Sequence, residues 1–308
     1  MLATICLLAA ITFSESKTLA LQICLDREGF SCNTIDGQWG RKSQSALEKY
    51  CLAHNVKAPP TPEEAYDALF AGNGRNLFRY DTVTQADIDA LVNMPNDPAQ
   101  KAELDEMGYP TIQEMFAERG HVSRRTLERL NPSVDWADIK PGVKIKIPDF
   151  PSMDEELSVW PKGRPNAPKR PSADKVKISL SRFEVCVLDA SDRTIALFPC
   201  SIAKNKANLP ARSELRVVNQ IARPNYTYTP DSTPAGQKVS RYIWPAGPRC
   251  PVGMAWLGLD LPGYGMHGTP RPESIGNAES HGCFRLANWN AARLYALCPI
   301  GTPVIVEP

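Results

Sequence analysis

Two short stretches decide how this chain is read: Tyr264-Gly-Met-His-Gly-Thr269, and Ser280-His-Gly-Cys-Phe-Arg285 a loop further on. Cys283 stands between Gly282 and Phe284, with His281 two positions before it and Arg285 two after. His267 lies upstream, across a loop containing proline and glycine. A thiol near histidine can be held as the thiolate, the nucleophilic form, and the nearby positive charge predicts a lowered thiol pKa. Gly282 lets a substrate approach the backbone without a Cβ in the way. The N–H groups of Gly282 and Cys283 can stabilise an oxyanion. Arg285 adds a fixed charge and a donor fork suited to a carboxylate. A lone cysteine is usually a buried small hydrophobe, so the argument rests on the arrangement and not on the thiol alone.

The whole chain bounds what surrounds this site. Its 308 residues suffice for two or three compact units. A formal net charge of +1 gives no nucleic-acid footprint. No run of about 20 apolar residues lies in the body of the chain, so no transmembrane segment is expected in the mature protein. Leu2 to Phe13 is mostly apolar and Ser14-Glu15-Ser16 follows, so residues 1–16 read as a signal peptide, although the positive n-region is missing. The alternative is a buried N-terminal helix. Nine cysteines suit an oxidising compartment, and Cys32 and Cys51 are placed to staple a small module. No C-x-x-C spacing is present, and neither a metal nor a cofactor is expected.

The expected fold is multidomain α+β, built from a small helical module, a βααβ module and a mostly-β C-terminal domain. Residues 17–57 read as three short helices, with Leu21 and Leu25 on one face and a turn at Asp36-Gly37. Residues 58–108 read as a helical connector, including a helix from Thr84 to Val92 capped by Thr84. In residues 109–150, Thr111 to Arg119 and a helix capped by Ser123 precede a strand of Val143, Ile145 and Ile147. Residues 151–174 hold five prolines among Lys, Arg and Ser and read as a semi-extended linker. From 175 to 308 the period changes to two: Val176, Ile178 and Leu180, then Phe183, Val185 and Val187, then Ile195 and Leu197. Cys186, Cys200 and Cys298 fall on or beside apolar positions and read as core. Asn288 is expected to cap a helix carrying Ala291, Leu294 and Tyr295.

Several of these stretches resemble known families. His267-Gly-Thr, Ile275-Gly276, Ser280-His-Gly-Cys283, Arg285-Leu and Asn288 stand in the order and spacing of the YkuD-type L,D-transpeptidase catalytic domain. Gly247-Pro248, Pro251-Val-Gly253 and Gly301-Thr-Pro-Val304 extend the likeness over roughly the C-terminal two-fifths of the chain. One element departs: Pro210-Ala-Arg-Ser213 replaces the usual T-P-x-G. Leu21-Gln22, Gly29-Phe30, Asp36-Gly37, Gly40 and Ala46-Leu47 resemble a peptidoglycan-binding module. Leu130-Asn-Pro132 and Lys140-Pro-Gly142 resemble a LysM module. The LysM likeness implies a first strand before the two helices, and its usual opening glycine is blurred around Gly108-Tyr109.

The resemblance implies acyl transfer on peptidoglycan stem peptides in an exported protein of the periplasm or cell envelope. It implies Cys283 as nucleophile, His267 as general base, and Gly268 as the backbone group orienting that base. Gly282 would serve the oxyanion, and His281 and Arg285 would shape the pocket. Tyr264, Thr269 and Ser280 would bind substrate. The implied partners are stem peptides and glycan strands, with an envelope protein as a further acyl acceptor. Two rivals stand beside it: hydrolysis of the same thioester by water, and a non-catalytic peptidoglycan-binding protein.

Overall fold

A helix whose every face is apolar or satisfied must sit in the middle of its neighbours, and α1 (Phe13–Arg27) is such a helix. Leu21 and Leu25 are fully buried on one side of it and Ile23 on the opposite side. In the computed structural model, residues 13–72, 74, 76–162, 173–230, 241–280 and 282–308 are described. They form two units, one of residues up to 89 with 112–150, the other of 90–111 with 151–308.

In the first unit α2 (Arg41–Ala53) and α3 (Pro62–Leu69) pack on α1. Gln22 explains why this module carries a Leu-Gln and an Asp-Gly. Its side-chain oxygen accepts from Gly37 N at 2.8 Å, and its amide donates to Gln38 O at 2.9 Å and Ser43 Oγ at 3.0 Å. One buried amide therefore satisfies a turn that has no other secondary structure. The third helix of the module begins at Pro62, beyond the expected boundary at residue 57, where Thr61 caps it by accepting from Glu64 N. Cys32 and Cys51 are buried free thiols, so the expected staple is not formed.

The chain continues through β1 (Phe78–Thr82) and α4 (Gln85–Asp89), then α5 (Pro98–Ala102) of the second unit, then α6 (Ile112–Arg119), α7 (Arg124–Leu130) and β2 (Lys144–Pro148). Strands β1 and β2 pair antiparallel, Tyr80 opposite Lys146. The first strand of the βααβ arrangement thus lies at Phe78–Thr82 and not near Gly108-Tyr109. Thr84 and Asp87 cap α4 reciprocally, at 2.8 Å from Thr84 N and 3.1 Å from Asp87 N, and the helix stops at Asp89, short of Val92. Asn131 joins α7 to β2: its amide donates to Leu127 O and Lys146 O, and its oxygen accepts from Lys146 N.

After residue 150 the second unit resumes with α8 (Met153–Lys162), where the prolines predict an extended linker. Ser152 and Glu155 cap it. Glu156 reaches Arg293 at 2.9 Å, and both side chains are buried. Eight strands follow in the order β13-β11-β10-β7-β14-β3-β4-β5: β3 (Lys175–Ser179), β4 (Glu184–Leu188), β5 (Thr194–Pro199), β7 (Glu214–Ala222), β10 (Ala255–Leu259), β11 (Gly265–His267), β13 (Phe284–Arg285) and β14 (Pro303–Glu307). Short strands β6 (Ile202–Ala203) and β12 (Ala278–Ser280) pair with each other, as do β8 (Tyr226–Tyr228) and β9 (Tyr242–Trp244). The period-two runs read from the sequence bury Val176, Ile178, Val185 and Val187 in one core with Ala291 and Leu294 of α9 (Asn288–Leu297).

Candidate active site

The site forms where β11 is flanked by β10 and β13. β13 runs parallel to β11, with Met266 opposite Phe284 and His267 opposite Arg285. Cys283, one residue before β13, is thereby brought alongside the start of β11.

Gly268 follows His267 and meets Gly253 and Asn288. A Cβ on Gly253, whose φ is +61°, would lie 2.1 Å from Asn288 Oδ1 and 2.6 Å from Gly268 Cα, so only glycine permits this packing. Asn288 is not the helix cap expected of it. It is fully buried, its Oδ1 accepts from Met254 N at 3.2 Å, and its amide donates to Pro248 O at 3.1 Å. Ala287 holds the cap position without a side-chain bond.

His267 is buried, and its Nδ1 lies 2.7 Å from Gly268 O. A carbonyl only accepts, so Nδ1 carries the proton and the Nε2 lone pair remains. Burial pushes the imidazole pKa down to about 4, against the Gly268 bond and helped by the Arg285 charge. The ring is therefore neutral at pH 7. Trp256 on β10 stacks on it with centroids 5.5 Å apart and planes 21° apart.

Cys283 is half-buried and its thiol donates to Gly263 O at 3.3 Å. Burial pushes the thiol pKa up, opposed by a backbone bond from Gly265. This reverses the expectation of a lowered pKa: Arg285 acts on His267, and desolvation governs the thiol. The thiol hydrogen bond recorded for Cys283 goes to a carbonyl and not to His267.

The remaining site residues divide. Ser280 is buried; its hydroxyl donates to Cys283 O at 2.6 Å and accepts from Gly282 N at 3.3 Å. Thr269 is buried and accepts from Arg271 N at 3.4 Å. Both hydroxyls thus hold turns, where the resemblance implies substrate binders. The Gly282 N–H, expected to serve an oxyanion, is engaged by Ser280. Tyr264 is half-buried and donates to Asn208 O at 3.1 Å. A Cβ on Gly282 would lie 3.4 Å from Asn208 O and 3.6 Å from the Tyr264 ring, so these two wall the space beside it. Arg285 is bound through its backbone to Ser201, at 3.0 and 2.8 Å. His281 lies outside the described residues.

Burial pushes Cys200 and Cys298 far up and Cys250 to about 11. Cys186 is half-buried on β4, less enclosed than its strand position predicts. Trp256 and the Gly263 carbonyl escape sequence reasoning, since each meets the site only through strand register. Among the described residues no three His, Cys, Asp or Glu side chains converge as a metal site requires, and no helix is long and apolar enough to cross a membrane.

Comparison with known proteins bears on the same region. Residues 173–306 match the family described as YkuD, L,D-transpeptidase catalytic domain. The chain is 28% identical over 195 residues to the putative L,D-transpeptidase YkuD of Bacillus licheniformis, covering 63% of this chain and 93% of that protein. It is 25% identical over 201 residues to the probable L,D-transpeptidase YbiS of Escherichia coli K12, covering 63% of this chain and 60% of that protein. Among solved structures, an Enterococcus faecium L,D-transpeptidase C442S mutant aligns at 15% identity with a TM-score of 0.34, over 44% of this chain and 50% of that one. Family match, relatives and the placement of Cys283 beside β11 lead to one statement: residues 173–306 are a YkuD-type L,D-transpeptidase catalytic domain.

Proposed function

We propose that the chain is a peptidoglycan L,D-transpeptidase that works through a thioester on Cys283. The observation that carries the mechanism is the 2.7 Å bond from His267 Nδ1–H to Gly268 O, which leaves the Nε2 lone pair available as a base. Acylation needs the Cys283 S–H to turn from Gly263 O to Nε2. The proton passes to Nε2 as Sγ bonds to the carbonyl carbon of an L-to-D peptide link. The oxyanion takes up the Cys283 N–H. The C–N bond then breaks, and the departing D-residue amine takes the proton from His267. In the second half an acceptor amine attacks the thioester, His267 takes its proton, and the thiol is restored. In this reading Arg285 and Tyr264 hold the donor, Arg285 through a carboxylate.

Transfer to an amine and loss to water share every step up to the thioester. Water exclusion and the acceptor site decide between them. The first unit supports a wall-binding role by its likeness to peptidoglycan-binding and LysM modules, and its place in the scheme is retention on the polymer after export to the periplasm or envelope. The test is incubation with tetrapeptide muropeptides read by mass. Dimers with a released D-residue are expected; tripeptides alone mean hydrolysis, and no product means a binding protein. His267→Ala should slow acylation by ~10²–10⁴-fold while weakening binding far less.

A further inference from the structure

Residues 90–111, between α4 and α6, belong to the second unit, although the family match begins only at residue 173. Within this segment α5 is capped by Asp97, which accepts from Ala99 N at 2.7 Å and Gln100 N at 3.1 Å. Met107 is its anchor. The Met107 N–H donates to Ala246 O at 2.8 Å and its carbonyl accepts from Arg249 N at 2.9 Å. The backbones come so close that a Cβ on Gly247, at φ +142°, would fall 2.4 Å from that carbonyl. Trp244 donates to Pro98 O at 3.0 Å, the Lys101 ammonium lies 4.7 Å from the Trp244 ring, and Glu106 pairs with Arg223 at 3.5 Å.

Two routes lead from this anchorage to the base. Met107, Trp244, Cys250 and Val252 form a buried cluster, and Trp256 packs against it. Trp256 then stacks on His267, its indole held by Asn219 Oδ1 at 3.1 Å. The other route is polar. The Ala246–Met254 loop is fastened by Asn288 at Pro248 O and Met254 N, and Gly253 of that loop packs on Gly268, whose carbonyl orients His267.

We propose that residues 90–111 are a positioning strap, which sets the catalytic base through Trp256 on one side and through the Ala246–Met254 loop and the Gly268 carbonyl on the other. The proposal rests on the reading of His267 as general base. An interior apolar cluster transmits such a constraint because it is close-packed and tolerates little displacement. Misplacing a catalytic group by about 1 Å can cost ~10²-fold in rate.

The test uses the full chain with Met107→Ala, with Trp256→Phe as the conservative control and Trp256→Leu as its loss. The rate of Cys283 acylation by a β-lactam and the NMR titration of His267 are both read. Met107→Ala and Trp256→Leu should slow acylation by ~10–100-fold at nearly unchanged binding. Their His267 titration should rise from about 4 towards the ordinary 6.5 as water reaches the ring. Trp256→Phe keeps a stacked ring and should stay within a few-fold of wild type. If Met107→Ala does not fold, a Lys101→Ala, Trp244→Phe double variant cuts only side-chain ties of the strap and is read the same way. A folded strap variant with wild-type acylation, or with an unmoved His267 titration, overturns the proposal. If the wild type yields no muropeptide product, the transpeptidase reading falls, and the His267 titration still judges the strap.

Discussion

Replacing Glu156 by Gln tests how the helix α8 belongs to the catalytic unit. Glu156 and Arg293 are 2% and 3% exposed, and Arg293 Nε and Nη2 each lie 2.9 Å from Glu156 Oε1. Gln keeps the volume and one acceptor oxygen but removes the charge that balances the guanidinium. Breaking a buried pair on one side costs about 3–5 kcal/mol, and the retained acceptor puts this case near 3. At about 1.4 kcal/mol per tenfold, that is a ~100-fold rise in the opening of the α8–α9 interface. Two units make a single unfolding free energy ill-defined, so the assay is native-state hydrogen exchange of the α9 amides. A Glu156→Leu, Arg293→Leu double variant should recover most of the loss, because an apolar pair needs no desolvation. Exchange in Glu156→Gln within threefold of wild type would refute the reasoning and return α8 to the status of a linker. A chain begun at Lys175 would lack Glu156 altogether and should show the same loosened α9.

Three further outcomes follow from the same geometry. Because burial raises the Cys283 thiol, alkylation should be slow at pH 6 and climb with pH through the ordinary thiol range of about 8.5 and beyond; rapid labelling at pH 6 would argue for a thiolate at rest, and Cys283→Ser should abolish acyl transfer. His267 titrates near 4 when folded against about 6.5 unfolded, so the unfolded chain binds the extra proton between those values. Its contribution is complete above pH 6.5 and falls by up to ~3 kcal/mol by pH 4, and His267→Gln should flatten that part of the melting-temperature profile. Gln22→Ala leaves the Gly37 N–H without its 2.8 Å partner and should destabilise the first unit by about 1–3 kcal/mol, seen as faster exchange around Asp36-Gly37 with catalysis on soluble muropeptides unchanged.

The sequence is legible where an interaction is local or periodic. Val176, Ile178, Val185 and Val187 alternate because one face of their sheet is covered, and that pattern needs no knowledge of the cover. That the stretches holding His267 and Cys283 lie side by side is legible only as a motif, since the register that joins β11 to β13 is not written in either stretch. Residues 151–174 mislead because composition reports prolines, whereas the helix is decided by Glu156 and Leu157 meeting α9 and the sheet core. The strand Phe78–Thr82 escapes for a related reason. Tyr80 is exposed and Arg79 and Asp81 pair with each other, so the strand shows no clean apolar face, and its partner β2 lies far along the chain. Polar motif residues mislead in the opposite direction. Ser280 and Asn288 look like chemistry or capping, yet each satisfies backbone groups of a turn, as Gln22 does in the first unit.

Charge is the last property that spacing alone misjudges. His281 and Arg285 flank Cys283 in sequence and suggest an ion pair at rest. In the folded site His267 is pushed down to about 4 and the Cys283 thiol is pushed up, both by desolvation. Both shifts oppose moving the proton from Cys283 to His267 before any bond forms, so that transfer carries a cost. The pair therefore rests neutral. The cost shrinks only when the sulfur's growing charge is drawn into a bond with a carbonyl carbon and onto an oxyanion held by backbone N–H. In the proposed reaction, proton transfer and C–S bond formation are then coupled in one step. A site of this kind favours electrophiles that deliver an oxyanion to its donors, such as peptides and β-lactams, and reacts sluggishly with those that do not. The ratio of β-lactam acylation to iodoacetamide alkylation, compared with that of a free thiol, measures this coupling directly. A ratio equal to that of the free thiol would mean that the site activates the thiol in advance, against the burial that defines it.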